Sequence, residues 1–170
     1  SASQTQEICE LLRNNHEQSA KLVSMLQNRV SPGVDDAAKV KAEFLNEILN
    51  HGLKIDAISP EKAVEMLKTM LGGYNVIVLI ACLQNSDEKI ATLASDALKN
   101  IIFVHDYFND VAKLAKTNKF AKAVIQSWAD AEWFLNKPKI PEKIEAVVFK
   151  VPGETNTDDL SPASDAFTRS

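Results

Sequence analysis

The chain has 170 residues, of which 45% are hydrophobic and 25% charged, and these values exclude a disordered chain. Two cysteines are too few for a fold held together by disulfides, and a formal net charge of -4 excludes a global attraction to nucleic acid or anionic lipid. The sequence has neither a long uncharged apolar run nor a signal segment, so we expect a cytoplasmic protein without a membrane span.

Apolar residues recur at helical spacing over residues 4–136, which predicts a largely helical domain. The first two helices are predicted around residues 8–12 and 22–26, on either side of a polar break. A third helix is predicted to follow Asp35 or Asp36, because a carboxylate at that position can accept backbone N–H groups of the first turn.

Glycine and proline mark the next helix boundaries. Gly52 lies where the third helix is predicted to end, since glycine readily adopts the left-handed conformation of a C-terminal cap. The run Ser59-Pro60-Glu61 predicts the start of a fourth helix, with a hydroxyl cap, a proline at the first helical position and an acid near the positive end of the dipole. Gly72-Gly73 is predicted to end that helix.

Residues 74–83 are nearly all apolar and predict the most buried helix, with a β-strand as the alternative because valine and isoleucine are frequent there. Ser86 is predicted to cap the following helix, and two further helices are separated near Asn118. The prediction is an all-α fold of about seven helices in antiparallel pairs. The pairs follow one another without an exact sequence repeat, as in degenerate α-solenoid repeats.

The pattern changes after Pro138. Residues 144–151 are typical of a β-strand, Pro152-Gly153 breaks it, and a polar stretch continues to Ser170. A single strand cannot form a domain, because its backbone groups need partner strands. We therefore predict a helical domain at residues 1–137, with residues 138–170 as a linker and the start of a second domain in which the chain stops.

No self-contained active site is visible. The three histidines, His16, His51 and His105, lack metal-ligand spacing, and Cys9 and Cys82 lie on apolar helix faces where a small buried side chain is expected. Two thiols cannot supply an iron–sulfur cluster. The residues predict neither a catalytic group nor a metal site within this chain.

A basic run at three-residue spacing is formed by Lys113, Lys116, Lys119 and Lys122. The run can contact RNA phosphates or form a solvated helix face, and the solvated face is the favoured interpretation. If the helical domain self-associates, we expect contacts through apolar surface, since its net charge is close to zero, and therefore little change with salt.

The polar tail resembles a known family. Residues 153–163 (GETNTDDLSPA), followed by Arg169, resemble the opening of the swivelling domain of the aconitase superfamily. Further stretches are similar to the N-terminal HEAT-like domain of the bacterial aconitase B family, in the order 28–35, 72–75, 127–136 and 148–151. Departures from the family pattern occur at Leu71, at 76–78 and at Ser170.

The resemblance implies an aconitate hydratase, a lyase of the tricarboxylic acid cycle that isomerises citrate to isocitrate through cis-aconitate, with many members also acting on 2-methyl-cis-aconitate. It implies a [4Fe–4S] cluster whose cysteine ligands and catalytic serine lie in later domains, so that this chain alone is inactive and binds no cluster. The helical domain of the family lines a substrate channel and forms protein–protein contacts, including a homodimer. Messenger RNA binding by the apo-enzyme is also a family property.

The resemblance also implies one substrate-binding residue, Arg169, which in the family holds a substrate carboxylate. A guanidinium suits this role because it donates two parallel hydrogen bonds to a carboxylate. Asp158 and Asp159 are expected to shape the loop, since their charge would repel an anionic substrate. The alternative is a stand-alone helical-repeat scaffold that binds RNA or a protein through the lysines at residues 113–122.

Overall fold

The computed structural model describes residues 1–27, 36–70, 73–101, 104–137, 141–143, 145–147 and 153. Within these residues the helices are α1 (Ala2–Arg13), α2 (Ser19–Gln27), α3 (Ala37–Asn50), α4 (Pro60–Lys68), α5 (Tyr74–Cys82), α6 (Glu88–Lys99), α7 (Val104–Leu114), α8 (Lys119–Ala129) and α9 (Glu132–Leu135). The described residues form no β-sheet, so the predicted all-α class is confirmed, with nine helices instead of about seven. None of these helices has the length and apolar character needed to cross a membrane.

The helices pack as two rows. One row runs from α1 through α3 and α5 to α7, and the other from α4 through α6 to α8. Each helix of the first row also packs on its successor in sequence, which joins α1 to α2, α3 to α4, α5 to α6 and α7 to α8. Stacked helix pairs are the general arrangement of helical repeats, and the assignment to a HEAT-like repeat stays a prediction.

The described residues share one hydrophobic cluster, which contains residues from α1 to α8. Its fully buried members include Leu12 of α1, Phe44 of α3, Leu67 of α4, Leu79 of α5 and Leu98 of α6. Burial of apolar side chains is the main force that holds the helices together, since most helices of nine to fourteen residues are marginal alone.

The helix starts follow side-chain chemistry in part. Asp36 directly precedes α3, but its side chain makes no capping hydrogen bond, and Asp35 lies outside the described residues. Ser59 caps α4 as predicted, because its hydroxyl accepts the backbone N–H of Lys62 at 3.2 Å. The prediction that Ser86 caps the next helix is wrong by one residue. The Asp87 carboxylate accepts the Lys89 N–H at 2.9 Å, and an acid at this position also interacts favourably with the helix dipole.

The junction between α4 and α5 also differs from the prediction. The helix α4 ends at Lys68, earlier than a stop at Gly72-Gly73 requires, and Gly72 lies outside the described residues. Gly73 instead precedes the first residue of α5, with a φ of +82° that favours glycine. A side chain at this position would be strained by the backbone angle.

Residues 74–82 form the helix α5, so the strand alternative for this segment is wrong. Ile77 is 60% exposed, so the segment is not buried on all sides. The helix has one face toward solvent, while Val76, Leu79 and Cys82 point into the core. An apolar run shows that a segment is packed, but it does not show which positions are covered.

Asparagine side chains join successive helix pairs. The amide of Asn85, between α5 and α6, donates to the carbonyl oxygen of Leu49 in the last turn of α3 at 2.8 Å. The amide of Asn118, just before α8, donates to the carbonyl oxygen of Leu83 at the end of α5 at 2.7 Å. These two contacts, called the asparagine joints below, satisfy carbonyl groups that a helix end leaves without a partner in the helix.

A buried indole fixes α8 to α6. The Nε1–H of Trp128 donates to the carbonyl oxygen of Leu98 at 2.9 Å, inside the core. The ring therefore contributes both packing and a satisfied polar group at the same contact.

We predict that Trp128→Phe lowers the free energy of unfolding by about 2 kcal/mol, because it removes the buried donor and leaves unfilled volume. The matched control is Trp133→Phe on α9, where the ring is only partly buried, and there the expected loss is below about 0.5 kcal/mol. Urea denaturation followed by circular dichroism measures both. Equal losses in the two variants would contradict a special role for the Trp128 contact.

Candidate functional site

The predicted substrate-binding residue, Arg169, lies outside the described residues, as do Asp158 and Asp159. The assignment of Arg169 to a substrate therefore stays a prediction. Two of the stretches that carry the family resemblance are described in whole or in part, at residues 73–75 and 127–136. Their geometry shows what these residues do within the helical part of the chain.

The first stretch is a clamped turn. The Asn75 side chain is buried, and its amide donates to the carbonyl oxygen of Leu67 in α4 at 2.8 Å. On the other side, the hydroxyl of Tyr107 in α7 donates to the carbonyl oxygen of Gly73 at 3.4 Å. The turn is thus held between α4 and α7, which gives the glycine and the asparagine a structural role.

The second stretch forms a corner between α8 and α9. Ala131 has a φ of +54°, in the left-handed region that a residue with a side chain rarely adopts. The hydroxyl of Ser127 donates to the carboxylate of Glu132 at 2.5 Å across this corner. The side-chain bond offsets the strained backbone and sets the direction in which α9 leaves α8.

The two thiols are unsuited to metal binding. Cys9 lies in α1 and Cys82 in α5, both are buried, and burial raises their pKa values to about 12 and about 11. A cysteine binds a metal ion as the thiolate, and burial disfavours the thiolate at both positions. In the part of the chain that the structure describes, no group of three or more His, Cys, Asp or Glu residues is placed to hold a metal ion. These cysteines do not fit an iron–sulfur cluster.

The basic run is divided between two helices. Lys113 belongs to α7, whereas Lys119 and Lys122 belong to α8, so the four lysines do not form one helix face. Lys119 Nζ lies 2.7 Å from a carboxylate oxygen of Glu88, and Lys113 Nζ lies 3.9 Å from one of Asp110. These carboxylates therefore neutralise part of the positive charge that would attract an RNA phosphate.

An ion-paired arginine that the sequence analysis missed joins α1 to α3. The guanidinium of Arg13 lies 2.6 Å from a carboxylate oxygen of Glu47 and 2.8 Å from one of Glu10. It also lies over the Phe44 ring, 5.0 Å from the centroid. The hydrogen bond to Glu47 raises the pKa of Arg13 further above its ordinary value. No local pattern indicates a pair separated by 34 residues.

Lys41 is an unusual core residue. Its side chain in α3 is 2% exposed, and burial lowers its pKa to about 8. Burial favours the neutral amine, because a charged ammonium loses its hydration in the protein interior.

Because the unfolded chain keeps the Lys41 proton up to about pH 10.5, stability should rise with pH between 8 and 10.5. We predict that the free energy of unfolding, relative to Lys41→Met, increases by about 2 kcal/mol from pH 8 to pH 10. Taking the difference between the two proteins cancels the titration of Cys82, and that of Cys9 apart from its coupling to Lys41. The control Lys39→Met, an exposed lysine of the same helix, should follow the wild-type profile in urea denaturation. A difference that falls or stays flat would contradict the prediction.

Comparison with known sequences defines the class of protein. Residues 1–134 match the profile of the family described as the aconitate B N-terminal domain, and residues 146–170 match the aconitate hydratase 2 N-terminus. The chain therefore belongs to the aconitate B N-terminal domain family, as the resemblance in the sequence predicted.

The similarity extends along the whole chain. Aconitate hydratase B of Synechocystis sp. is 53% identical over 169 residues, that of Helicobacter pylori 52% over 169, and that of Escherichia coli 51% over 170. Each alignment covers 99% of this chain but only 20%, 20% and 19% of the respective relative. The chain spans about a fifth of the length of the curated relatives it matches.

Proposed function

We propose that this chain is the N-terminal part of an aconitate hydratase, which isomerises citrate to isocitrate through cis-aconitate in the tricarboxylic acid cycle. The observation that carries the proposal is an identity of about half to aconitate hydratase B over 99% of the chain. We extend the proposal to 2-methyl-cis-aconitate as a second substrate, on the strength of the family resemblance.

We further propose that the whole protein holds a [4Fe–4S] cluster whose ligands come from the rest of the polypeptide. Cys9 and Cys82 do not fit the cluster, since they are two buried thiols on different helices with raised pKa values. The helical part then contributes protein–protein contacts and a wall of the substrate channel. The reaction takes place on residues that follow it.

For the helical rows we propose protein–protein contact, including a homodimer, and one wall of a substrate channel. Exposed apolar side chains, among them Met25 and Phe108, support the contact role. Messenger RNA binding by the apo-enzyme has weaker support, because the basic run at residues 113–122 is divided between two helices. One of its lysines, Lys119, also forms an ion pair with Glu88. The stand-alone scaffold is disfavoured by the second family match at residues 146–170.

Activity assays on the whole polypeptide and on the 170-residue chain test the proposal. We expect the whole protein to hydrate cis-aconitate, and the chain alone to do so at no measurable rate. After anaerobic reconstitution with iron and sulfide, only the whole protein should show cluster absorbance. The control, a Cys9→Ala/Cys82→Ala variant of the whole protein, should keep that absorbance. A whole protein without hydratase activity would overturn the proposal. Cluster absorbance in the 170-residue chain would also overturn it, if the same double substitution made in that chain abolished the absorbance.

We also propose that Arg169 binds a carboxylate of the substrate. The support is its position after the stretch at residues 153–163, inside the second family match, together with the fork geometry of a guanidinium. A lysine at the same position keeps the charge but cannot donate the two parallel hydrogen bonds.

In the whole enzyme, Arg169→Lys should lower kcat/KM for citrate by at least about tenfold, as expected for loss of a charge-assisted bidentate contact. Cluster absorbance should be unchanged, because the residue is not a ligand. The matched control is Arg13→Lys, which alters the ion pair to Glu47 in the helical rows and should leave kcat/KM unaffected. Unaltered citrate kinetics in Arg169→Lys would remove this residue from the substrate site.

A further inference from the structure

The last described helix, α9, presents apolar side chains that the described residues do not cover. None of its four residues is buried, and Phe134 and Leu135 are 60% and 69% exposed. The rings of Trp133 and Phe134 meet edge to face with centroids 5.8 Å apart. Single exposed apolar side chains are common on protein surfaces, but adjacent ones are typical of a contact surface.

The position of α9 is set by the corner that precedes it. Ala131 keeps its left-handed backbone, and the Ser127–Glu132 hydrogen bond spans the turn. Backbone bonds from Phe134 N–H to the Ala131 carbonyl and from Asn136 N–H to the Glu132 carbonyl close the short helix at 3.0 and 2.9 Å. The apolar side chains are thus presented in a fixed direction at the end of the helical rows.

We propose that this α9 surface, formed by Trp133, Phe134 and Leu135, is the docking surface for the unit of the same polypeptide that begins at residue 146. The inference rests on the proposed function, since it requires that the second family match opens a further domain. It adds to that function a named place where the helical part and the following unit meet.

Chain connectivity favours this occupant. The first family match ends at residue 134 and the second begins at residue 146, so residues 136–145 connect the α9 surface to the unit. A connection of this length reaches at most about 40 Å. Such a tether gives an effective concentration in the millimolar range, at which a small apolar contact suffices for docking.

A second copy of the chain is a poorer candidate for the α9 surface. Stable dimers bury roughly 1,200–2,000 Å² in total. Phe134 and Leu135 are 60% and 69% exposed and Trp133 is partly buried, so the three side chains still offer at most about 400 Å² per copy. Two copies together offer about 800 Å², which falls short of that total. An intermolecular partner would also lack the concentration that the tether provides. The small size of the surface therefore fits an intramolecular contact.

Limited trypsin digestion of the whole polypeptide tests the proposal, because Lys139 and Lys143 lie in the connecting segment and neither is followed by proline. In the Phe134→Ser/Leu135→Ser variant, we expect cleavage there at least tenfold faster than in the unsubstituted protein, since an undocked unit exposes the segment. The matched control is Ile77→Ser, an equally exposed apolar side chain on α5, which should be cleaved at the unsubstituted rate.

A conservative variant, Phe134→Leu/Leu135→Met, should keep slow cleavage, because it retains an apolar surface. Unchanged cleavage in the serine variant would overturn the proposal, as would equal acceleration in the Ile77→Ser control. Loss of dimer mass in size-exclusion chromatography with unchanged cleavage would instead assign the surface to a second copy. Hydratase activity of the unsubstituted polypeptide is measured in parallel, so that failure of the proposed function is seen separately.

Discussion

A helix ends with carbonyl groups that have no partner within the helix, and stacked helix pairs bring many such ends close to the core. In this chain the asparagine joints at Asn85 and Asn118 satisfy two of these ends with an amide from the following pair. Each joint therefore fixes the position of one pair on the one before it. The ion pairs Lys89–Glu61 and Lys119–Glu88 follow the same succession, but they are exposed and contribute less.

The polar groups inside the helical part serve structure. Among the described residues, no buried side-chain nitrogen or oxygen lacks a hydrogen-bond partner. Asn75 closes a turn, Trp128 ties α8 to α6, and Ser95 of α6 donates to the Phe120 carbonyl of α8. Groups held in this way are poorly suited to bind or release a proton during a reaction. This distribution fits the proposal that the helical part supports a site built by other residues.

Local chemistry made much of the fold predictable. Helical periodicity and the Ser59-Pro60 start are decided by neighbours within one or two turns, so they are readable in the sequence. The contact between Arg13 and Glu47 cannot be predicted in this way, because nothing in the sequence around either residue indicates its partner. The exposure of Ile77 was missed for a similar reason, since coverage of an apolar position depends on how the rows stack. The family was predictable from short matching stretches, whereas the role of Arg169 depends on residues outside the described chain.

The asparagine joints also have a chemical consequence over the lifetime of the protein. Asparagine side chains slowly lose ammonia and become aspartate, and they count among the thermolabile residues of proteins. At Asn85 or Asn118 this change would replace a donating NH₂ group with a carboxylate oxygen facing the carbonyl oxygen of Leu49 or Leu83. Attraction would become repulsion at a boundary between two helix pairs. Ageing of a single amide would thus loosen the stack at a defined seam, with the pairs on either side still folded.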